Sequence, residues 1–449
     1  THNVRYAYMT GAMANGIASE ELVIAMGRDR LLGSFGAAGL SLKRIDQAIH
    51  TIQQALPDGP YAFNLIHTPH DMDRERRLVD RYVQRGVTTV EASAFMNLTA
   101  NLVYYRAVGL EVTSDQQIER KHRIIAKLSR PEVAQQFLQP APDKILKTLV
   151  TQGRITETQA KLAAQVPMAD DITVEADSGG HTDNQPLVCL LPSMLALRDE
   201  IQTQFAYATP VLVGAAGGIS TPQSALAAFM MGAAYVVTGS VNQACVEANT
   251  SDAVKALLAE AAIADVTMAP SADMFEMGVK VQVLKRGTMF GVRSQRLLDV
   301  YRTYESLENI PPMIQKVLET QIFKMSMEQL WQETVVYLRQ NHPAQLQKAM
   351  DNPKRKMALM FRWYLGRSSR WAKTGDNSRT MDYQIWCGPA IGAFNAWVKD
   401  SYLATPENRQ ATDIAHHMMM GAAYLYRLHL LKLRGVNLPA PYWRYQPRR

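Results

Sequence analysis

The stretch Asp171-Ile-Thr-Val-Glu-Ala-Asp-Ser-Gly-Gly-His-Thr-Asp-Asn184 decides how the rest of the chain is interpreted. Residues 172–176 form a short apolar, β-branched run, which predicts a buried strand. The run leads into Gly179 and Gly180, where backbone without side chains can approach a ligand closely. His181 follows at once. Parallel α/β folds keep their chemistry at the carboxyl ends of strands, so we expect an ionisable ring at the edge of a sheet. Taken alone, Gly-Gly-His is equally compatible with a plain strand-to-helix turn.

Seven further apolar runs alternate with mostly helical patterns. They are residues 5–9, 31–35, 61–66, 87–93, 123–129, 210–215 and 235–238. This rhythm indicates a parallel sheet, and eight runs within about 240 residues favour a closed (β/α)8 TIM barrel. An open doubly wound sheet is the alternative, but Gly33-Ser-Phe-Gly36 lacks the glycine spacing of a dinucleotide site. We therefore predict an α/β fold, with residues 1–129 and 171–242 forming the barrel.

Two segments exceed a minimal barrel. Residues 130–170 contain two amphipathic helical patterns, and Thr156-Glu-Thr-Gln159 resembles a capping box. An insertion that follows a barrel strand can cover the active-site mouth, so we expect a lid or a substrate wall here. Residues 243–449 are dominated by helical patterns and are expected to form a mainly helical extension packed on the barrel, with residues 444–449 frayed.

The composition limits the classes of protein to which the chain can belong. No apolar run is long enough for a transmembrane helix, and no signal peptide pattern is present. Cys189, Cys245 and Cys387 are too scattered for a disulfide framework or a zinc site, which suits a cytoplasmic protein without a bound metal. The net charge of +7 permits an acidic partner, although charge alone favours ordinary solubility as its explanation. The chain opens at Thr1 without Met, as a piece of a longer chain would.

Glycine-rich turns follow the seventh and eighth runs. In barrels, the loops after these two strands often hold a phosphate with backbone N–H groups and a helix N-terminus. The candidate donors are Gly217, Gly218, Gly239 and Ser240. Thr221-Pro222 predicts the cap and first turn of the next helix. One such turn is usually only a turn, but the pair in these two loops favours a phosphorylated ligand.

Polar groups end other strands of the predicted barrel. Met9-Thr-Gly11 ends the first run, Asn64 lies in the third, and Lys127 lies in the fifth. A lysine in an apolar strand requires an anion, which is either a ligand or an internal carboxylate such as Glu91 or Asp177. These residues predict a phosphorylated ligand in a barrel mouth, and flavin mononucleotide (FMN) is compatible with them.

Longer motifs extend over nearly the whole chain. They are Ala12-Met-Ala-Asn-Gly-Ile17, Phe63-Asn-Leu-Ile66, Val90-Glu-Ala-Ser-Ala-Phe95, Glu175-Ala-Asp-Ser-Gly-Gly-His181, His181-Thr-Asp-Asn-Gln-Pro186, Val213-Gly-Ala-Ala-Gly-Gly-Ile219, Val237-Thr-Gly-Ser240, Ala272-Asp-Met-Phe-Glu-Met-Gly278, Asn352-Pro-Lys-Arg-Lys-Met-Ala358 and Met381-Asp-Tyr-Gln-Ile-Trp386. Together they resemble the flavin barrels of the nitronate monooxygenase (2-nitropropane dioxygenase) family. Within it they are most similar to the trans-acting enoyl reductases of polyunsaturated fatty acid and polyketide synthases.

The resemblance implies bound FMN, NADPH or NADH as a transient hydride donor, and an enoyl thioester on an acyl carrier protein as substrate. It implies that Gly217, Gly218, Gly239 and Ser240 hold the FMN phosphate. The residues implied to line the rest of the flavin site are Met9, Thr10, Gly11, Asn64, Lys127, Asp177 and Gly180. Asp177 replaces the usual glutamate of the family, and Gln185 stands where arginine is expected.

His181 is the candidate catalytic residue. In the implied reaction, hydride reaches the β-carbon of the enoyl thioester, and charge on the thioester oxygen needs stabilisation and a proton at the α-carbon. A histidine titrates near neutral pH and can serve either purpose, although a role confined to contacting the flavin is the competing interpretation.

A basic set in the extension has two interpretations. It consists of Lys354, Arg355, Lys356, Arg362, Arg367, Arg370 and Lys373. These side chains either meet an acidic carrier protein or are solvated, with their stems over aromatic rings. Nucleic-acid binding is disfavoured because no module motif is present. Self-association into a homodimer stays open.

Two other functions remain as alternatives. A nitronate monooxygenase would have the same fold and flavin but use oxygen as the acceptor. A non-catalytic binding module of a synthase would use the basic helical region and hold no flavin.

Overall fold

The computed structural model describes residues 2–69 and 71–448, so Arg449 of the expected frayed tail lies outside the described residues. Its strands are β1 Tyr8–Thr10, β2 Leu32–Phe35, β3 Ala62–Ile66, β4 Thr89–Ser93, β5 Leu110–Val112, β6 Ile118–Arg120, β7 Arg123–Leu128, β8 Asp171–Glu175, β9 Gly180–His181, β10 Leu212–Ala216, β11 Val236–Thr238, β12 Val266–Pro270 and β13 Lys280–Leu284.

The α-helices are α1 Glu20–Arg28, α2 Leu42–Ala55, α3 Met72–Gln84, α4 Ala100–Val108, α5 Pro131–Leu138, α6 Asp143–Thr151, α7 Glu157–Ala163, α8 Leu187–Phe205, α9 Pro222–Met230, α10 Ser240–Gln243, α11 Asp252–Ala259, α12 Phe290–Thr303, α13 Pro312–Val317, α14 Met327–Asn341, α15 Pro343–Met350, α16 Pro353–Thr374, α17 Ala390–Val398 and α18 Ala411–Leu433. Within the described residues, no helix combines the length and the apolar character needed to cross a membrane.

Eight parallel strands close into a barrel in the order β1-β2-β3-β4-β7-β8-β10-β11. Each of them overlaps one of the eight apolar runs, so the predicted TIM barrel is confirmed. The runs are apolar throughout because helices cover the outer face of a parallel barrel while side chains fill its interior. Closure occurs between β1 and β11, where Thr10 pairs with Thr238.

Helices α7 and α9 begin at the capping residues that the sequence predicted. The Thr156 side chain accepts from Gln159 N while the Gln159 side chain accepts from Thr156 N, which confirms the capping box at α7. Thr221 caps α9 in the same reciprocal way with Ser224, and Pro222 occupies the first turn. The start of α9 behind the glycine turn is therefore confirmed.

The chain divides into two compact units. The barrel unit contains the residues up to Ser178, then Thr182–Asn249 and the residues from Ala393 onward, and the second unit contains Gly179–His181 and Thr250–Gly392. The sequence predicted one extension over residues 243–449, but the structure divides these residues between the two units. Its last part belongs with the barrel because α18 packs on α9 and α1.

The end of the chain is also packed rather than frayed. The Tyr445 hydroxyl is 3.0 Å from His417 Nδ1, and its carbonyl accepts from Trp397 Nε1 at 2.9 Å. The expectation of a frayed tail is thus wrong as far as Tyr445, because these contacts anchor the segment to the last helices.

The second unit is built around α16. Met357, Met360, Phe361 and Tyr364 of this helix are fully buried in an apolar core. Antiparallel strands β12 and β13 form a small sheet with β9 as its third strand. This sheet was not predicted, and β9 lies far from β12 and β13 in the sequence.

The insertion at 130–170 forms α5, α6 and α7. Helices α6 and α7 pack on α4, and α7 also contacts β5 of the hairpin formed by β5 and β6. That hairpin directly precedes β7, so these helices lie toward the amino ends of the strands. Arg154, between α6 and α7, pairs with Asp80 on α3 and lies 3.8 Å from the centre of the Tyr104 ring. The expected lid over the mouth is therefore not formed by α6 and α7, because their apolar faces are used against barrel helices.

Candidate active site

The carboxyl ends of β1, β11 and β10 bring three glycine-bearing loops side by side in the barrel unit. Val237 on β11 pairs with Met9 on β1 and with Ala216 on β10. Gly11 N donates to Thr238 O at 2.9 Å, which continues the ladder into the loop after β1. The two candidate phosphate loops are thus neighbours, and the end of β1 adjoins them.

Position 217 requires glycine because of its backbone conformation and its close backbone neighbours. Its φ is +86°, and an added Cβ would lie 2.7 Å from the carbonyl carbon of Ala176 and 2.8 Å from Asp177 O. Gly218 also has a positive φ, +73°, but its Cβ would meet no described atom within 4 Å. An added Cβ on Gly239, where φ is −130°, would likewise meet no described atom within 4 Å. The loops therefore combine one tightly packed glycine with two that face open space.

Helix α9 begins immediately after the glycine-rich loop that follows β10. Ser224 Oγ accepts from the backbone N–H groups of Ser220 and Thr221, both at 3.0 Å. Ser220 Oγ and Thr10 Oγ1 are buried and have no hydrogen-bond partner among the described residues. Buried hydroxyls are normally paired, so these two are consistent with a group that the protein alone does not supply.

Lys127 lies in a cluster with two carboxylates. Its Nζ is 3.2 Å from Glu175 Oε1 and 4.0 Å from Glu91 Oε1. Desolvation lowers the pKa of Lys127, but the charges of Glu175 and Glu91 outweigh it and raise that pKa above its usual range. Glu91, only 1% exposed, also accepts from Ala12 N at 2.8 Å. The cluster therefore joins β4, β7 and β8 to the loop after β1.

Of the two expected internal partners of Lys127, Glu91 is present and Asp177 is replaced by Glu175. Lys127 pairs in register with Thr173. Side chains alternate along a strand, so Glu175 shares the face of Thr173, whereas Asp177 lies beyond the strand end. Asp177 Oδ1 instead accepts from Asn184 Nδ2 at 2.8 Å.

Asn64 is fixed inside the barrel unit. Its Nδ2 donates to Glu91 O at 3.1 Å and to Ser93 Oγ at 2.9 Å. Its own carbonyl accepts from the hydroxyl of Tyr82 at 2.8 Å. The side-chain amide is thus held by β4, and the backbone carbonyl is held by α3.

His181 and Gly180 belong to the second unit, while the other predicted site residues belong to the barrel unit. His181 Nε2 lies 3.2 Å from Ser271 Oγ and 3.2 Å from Asp273 Oδ1. Partial desolvation raises the pKa of Asp273, but the His181 ring and the Ser271 hydroxyl hold it well below its usual range. Ser271 and Asp273 were not predicted, although Asp273 stands inside a motif that carried the resemblance.

The basic side chains of α16 mostly have partners in the second unit. Lys356 lies over Trp331 and Arg367 over Trp363. Arg362 pairs with Glu276 at 3.3 Å. The groups over the rings are the charged ends of Lys356 and Arg367, which is a cation–π arrangement. Arg370 is exposed.

Comparison of sequences identifies related proteins. A family profile described as nitronate monooxygenase matches residues 2–297. A second, described as the inserted helical domain of [acyl-carrier-protein] S-malonyltransferase, matches residues 304–383. A polyunsaturated fatty acid synthase polypeptide of Thraustochytrium sp. is 48% identical over 439 residues, and the polyketide biosynthesis protein PksE of Bacillus subtilis is 45% identical over 426. These alignments cover 96% and 94% of this chain but only 29% and 55% of those relatives.

Solved structures give the same grouping. The enoyl reductase domain of MlnA, from the macrolactin biosynthesis cluster of Bacillus amyloliquefaciens, is 42% identical with a TM-score of 0.92. That match covers 96% of this chain and 98% of the MlnA domain. FabK from Thermotoga maritima is 17% identical with a TM-score of 0.56, over 97% of this chain and 96% of FabK, which shows a shared fold alone.

Proposed function

The chain belongs to the nitronate monooxygenase family, and from that premise we propose that it is an FMN-dependent enoyl reductase. It reduces the 2,3 double bond of an enoyl thioester carried by an acyl carrier protein, in polyunsaturated fatty acid or polyketide synthesis, with NADPH or NADH as hydride donor. The observation that carries this proposal is the likeness of nearly the whole chain to the enoyl reductase domain of MlnA, at 42% identity.

The residues of the barrel unit fit the FMN phosphate. A phosphate bound by backbone N–H groups needs space that side chains leave open, and Gly218 and Gly239 provide it. Gly217 and Ser240 complete the proposed donor set, and α9, nine residues long, starts just behind it. The hydroxyls of Thr10 and Ser220, which have no hydrogen-bond partner in the part of the chain that the structure describes, are further support.

We assign further residues to the flavin site. The residues assigned to it are Met9, Thr10, Gly11, Asn64, Lys127, Asp177 and Gly180. Lys127 is the cation among them, and Glu175 and Glu91 keep it protonated. A fixed positive charge in a site of low dielectric stabilises negative charge that develops nearby.

When bound, FMN supplies hydride transfer from the nicotinamide to the β-carbon of the enoyl chain. The protein must then stabilise negative charge on the thioester oxygen and deliver a proton to the α-carbon. We assign this role to His181, whose Nε2 is held by Asp273 and Ser271. An imidazole titrates close to neutral pH and can hold and release that proton.

Replacing the imidazole tests this assignment. In His181→Ala, we expect enoyl reduction to fall by roughly a hundredfold, because a positioned acid contributes at least that factor. Anaerobic bleaching of the flavin by NADPH should be unchanged, since that half-reaction precedes the proton transfer. Stopped-flow absorbance separates the two steps with a crotonyl thioester as substrate. Equal rates of reoxidation in variant and wild type would remove His181 from the chemistry.

Docking of the carrier protein is assigned to the exposed basic part of α16. Arg370→Glu should raise KM for a carrier-bound enoyl substrate about fivefold and leave KM for a small thioester unchanged, since an exposed charge at a docking surface is typically worth up to ~1 kcal/mol. Lys147→Glu on α6, an equally exposed reversal, is the matched control. Parallel changes in KM for both substrates would count against docking at Arg370.

Nitronate oxidation is the second candidate, because the matching family profile carries that description. The two functions differ in the electron acceptor. NADPH consumption that requires an enoyl thioester supports the reductase, whereas oxygen consumption that requires a nitronate and proceeds without NADPH supports the oxidase. A purified protein without a flavin absorbance band would contradict both and favour a non-catalytic synthase module.

A further inference from the structure

The backbone of His181 is fixed by a sheet. Gly180 and His181 form β9, which pairs antiparallel with β13. A Cβ on Gly179 would lie 2.6 Å from Cα of Cys387, so the chain passes too close there for any side chain. The histidine therefore projects from a defined backbone position, as a reactive side chain requires.

The ring of His181 has two oxygen partners on one nitrogen. Nε2 is 3.2 Å from Ser271 Oγ and 3.2 Å from Asp273 Oδ1. The Ser271 hydroxyl donates its own proton to the same Asp273 oxygen. An ionised carboxylate can only accept, so the proton between His181 and Asp273 resides on Nε2. This contact selects the tautomer of the ring.

The arrangement fits neither a stabilising ion pair nor a nucleophilic triad. The side chains of His181 and Asp273 are 53% and 61% exposed, and exposed pairs contribute little to folding. In a triad the hydroxyl and the carboxylate flank opposite nitrogens of the imidazole, whereas here they share one. Ser271 is 1% exposed, and its N–H donates to Val279 O at 2.9 Å. It therefore anchors the carboxylate.

We propose that Asp273, held in place by Ser271, is the positioning residue of His181. It sets which ring nitrogen carries the proton and how the ring is turned, and its negative charge favours the protonated imidazole. This inference rests on the proposed function, in which His181 supplies the proton to the enoyl chain. Without the carboxylate, the ring loses its fixed tautomer and holds its proton less tightly.

Charged groups near the His181 ring influence the pKa that a titration of this ring measures. Asp273 is a charged group in contact with His181, and it stays ionised at neutral pH because its pKa is lowered. The residue opposite His181 on β13 is Val281, which is uncharged. Glu276, in the same segment as Asp273, pairs with Arg362 on α16 at 3.3 Å. The difference in the pKa of His181 between the wild type and a variant at Asp273 therefore measures the coupling of these two residues.

The test uses the purified flavin-loaded chain. In Asp273→Asn, the pKa of His181 measured by NMR of 13C-labelled histidine should fall by roughly half a unit, the size expected of an exposed pair. The value of kcat for a crotonyl thioester should fall about tenfold with KM unchanged, since the proton donor is misoriented rather than absent. Glu276→Gln, which removes a carboxylate from the same segment, should change neither quantity. His181→Ala assigns the NMR signal.

The second variant separates orientation from charge. Ser271→Ala keeps the carboxylate, so kcat should fall while the pKa of His181 stays close to that of the wild type. An unchanged titration in Asp273→Asn overturns the proposal, and so does an equal loss of kcat when Asp273→Asn is made in the His181→Ala background. A wild-type chain that reduces no enoyl thioester refutes the proposed function, and the NMR titration then decides alone whether Asp273 controls the ring.

Discussion

In Gly239→Glu, we expect a correctly folded protein that binds FMN at least a hundredfold more weakly than the wild type. The backbone φ at Gly239 is negative, and a built Cβ meets no described atom within 4 Å, so the fold tolerates a side chain there. A carboxylate in that space faces the proposed phosphate, and an uncompensated charge in a binding site costs roughly 3–5 kcal/mol. The dissociation constant follows from quenching of FMN fluorescence by the apoprotein.

A matched substitution checks that the added charge acts locally. Gly366→Glu on α16 also places a glutamate where a built Cβ meets no described atom within 4 Å. This control should keep the wild-type affinity for FMN. Neither variant should have a lower thermal midpoint than the wild type when no flavin is present. Wild-type affinity in Gly239→Glu would show that the phosphate is bound elsewhere.

In Lys127→Met, we expect the free energy of unfolding to fall by about 3–5 kcal/mol at neutral pH, the usual cost of breaking a buried ion pair. The loss arises because Glu91, 1% exposed, no longer has the cation that faces it. Methionine preserves the apolar stem, so lost packing contributes little. Urea denaturation of the apoprotein measures the change without involving the flavin.

The dependence on pH has a definite sign. The folded pKa of Lys127 lies above its ordinary value of 10.5, so its contribution is fully present below that value and is lost as the pH rises through the folded pKa. The difference between wild type and variant should therefore be equal at pH 7 and pH 9 and shrink above about 10.5. Lys121→Met, which breaks the exposed pair with Glu111, should have no measurable effect. A wild-type urea midpoint in Lys127→Met would show that the cluster does not stabilise the fold.

The barrel was predictable because its signal is local. Each strand is an apolar run of a few residues, and each helix carries its own cap, as Thr156 and Thr221 show. The glycines at 217, 218 and 239 were recognisable for the same reason, since their place after the seventh and eighth strands follows from counting. Neither step requires knowledge of which distant segments meet.

The partners of the reactive side chains were not predictable in this way. Asp273 lies 92 residues beyond His181, and Glu175 lies 48 beyond Lys127, so no periodic pattern connects them. The sheet that holds His181 pairs β9 with β13 across a comparable separation. The location of α6 and α7 was mistaken because an amphipathic face shows that a helix is covered but not what covers it.

The amino-acid sequence by itself determined the eight-stranded barrel, its glycine loops and the kinds of groups at its mouth, because short-range periodicity and turn chemistry specify them. The tertiary structure alone decided that Glu175 faces Lys127, that Asp273 and Ser271 hold His181, and that residues 250–392 form a core of their own. These contacts depend on which segments, distant in sequence, bury their apolar surfaces against each other and which charged groups are then adjacent. No single stretch of the sequence specifies either.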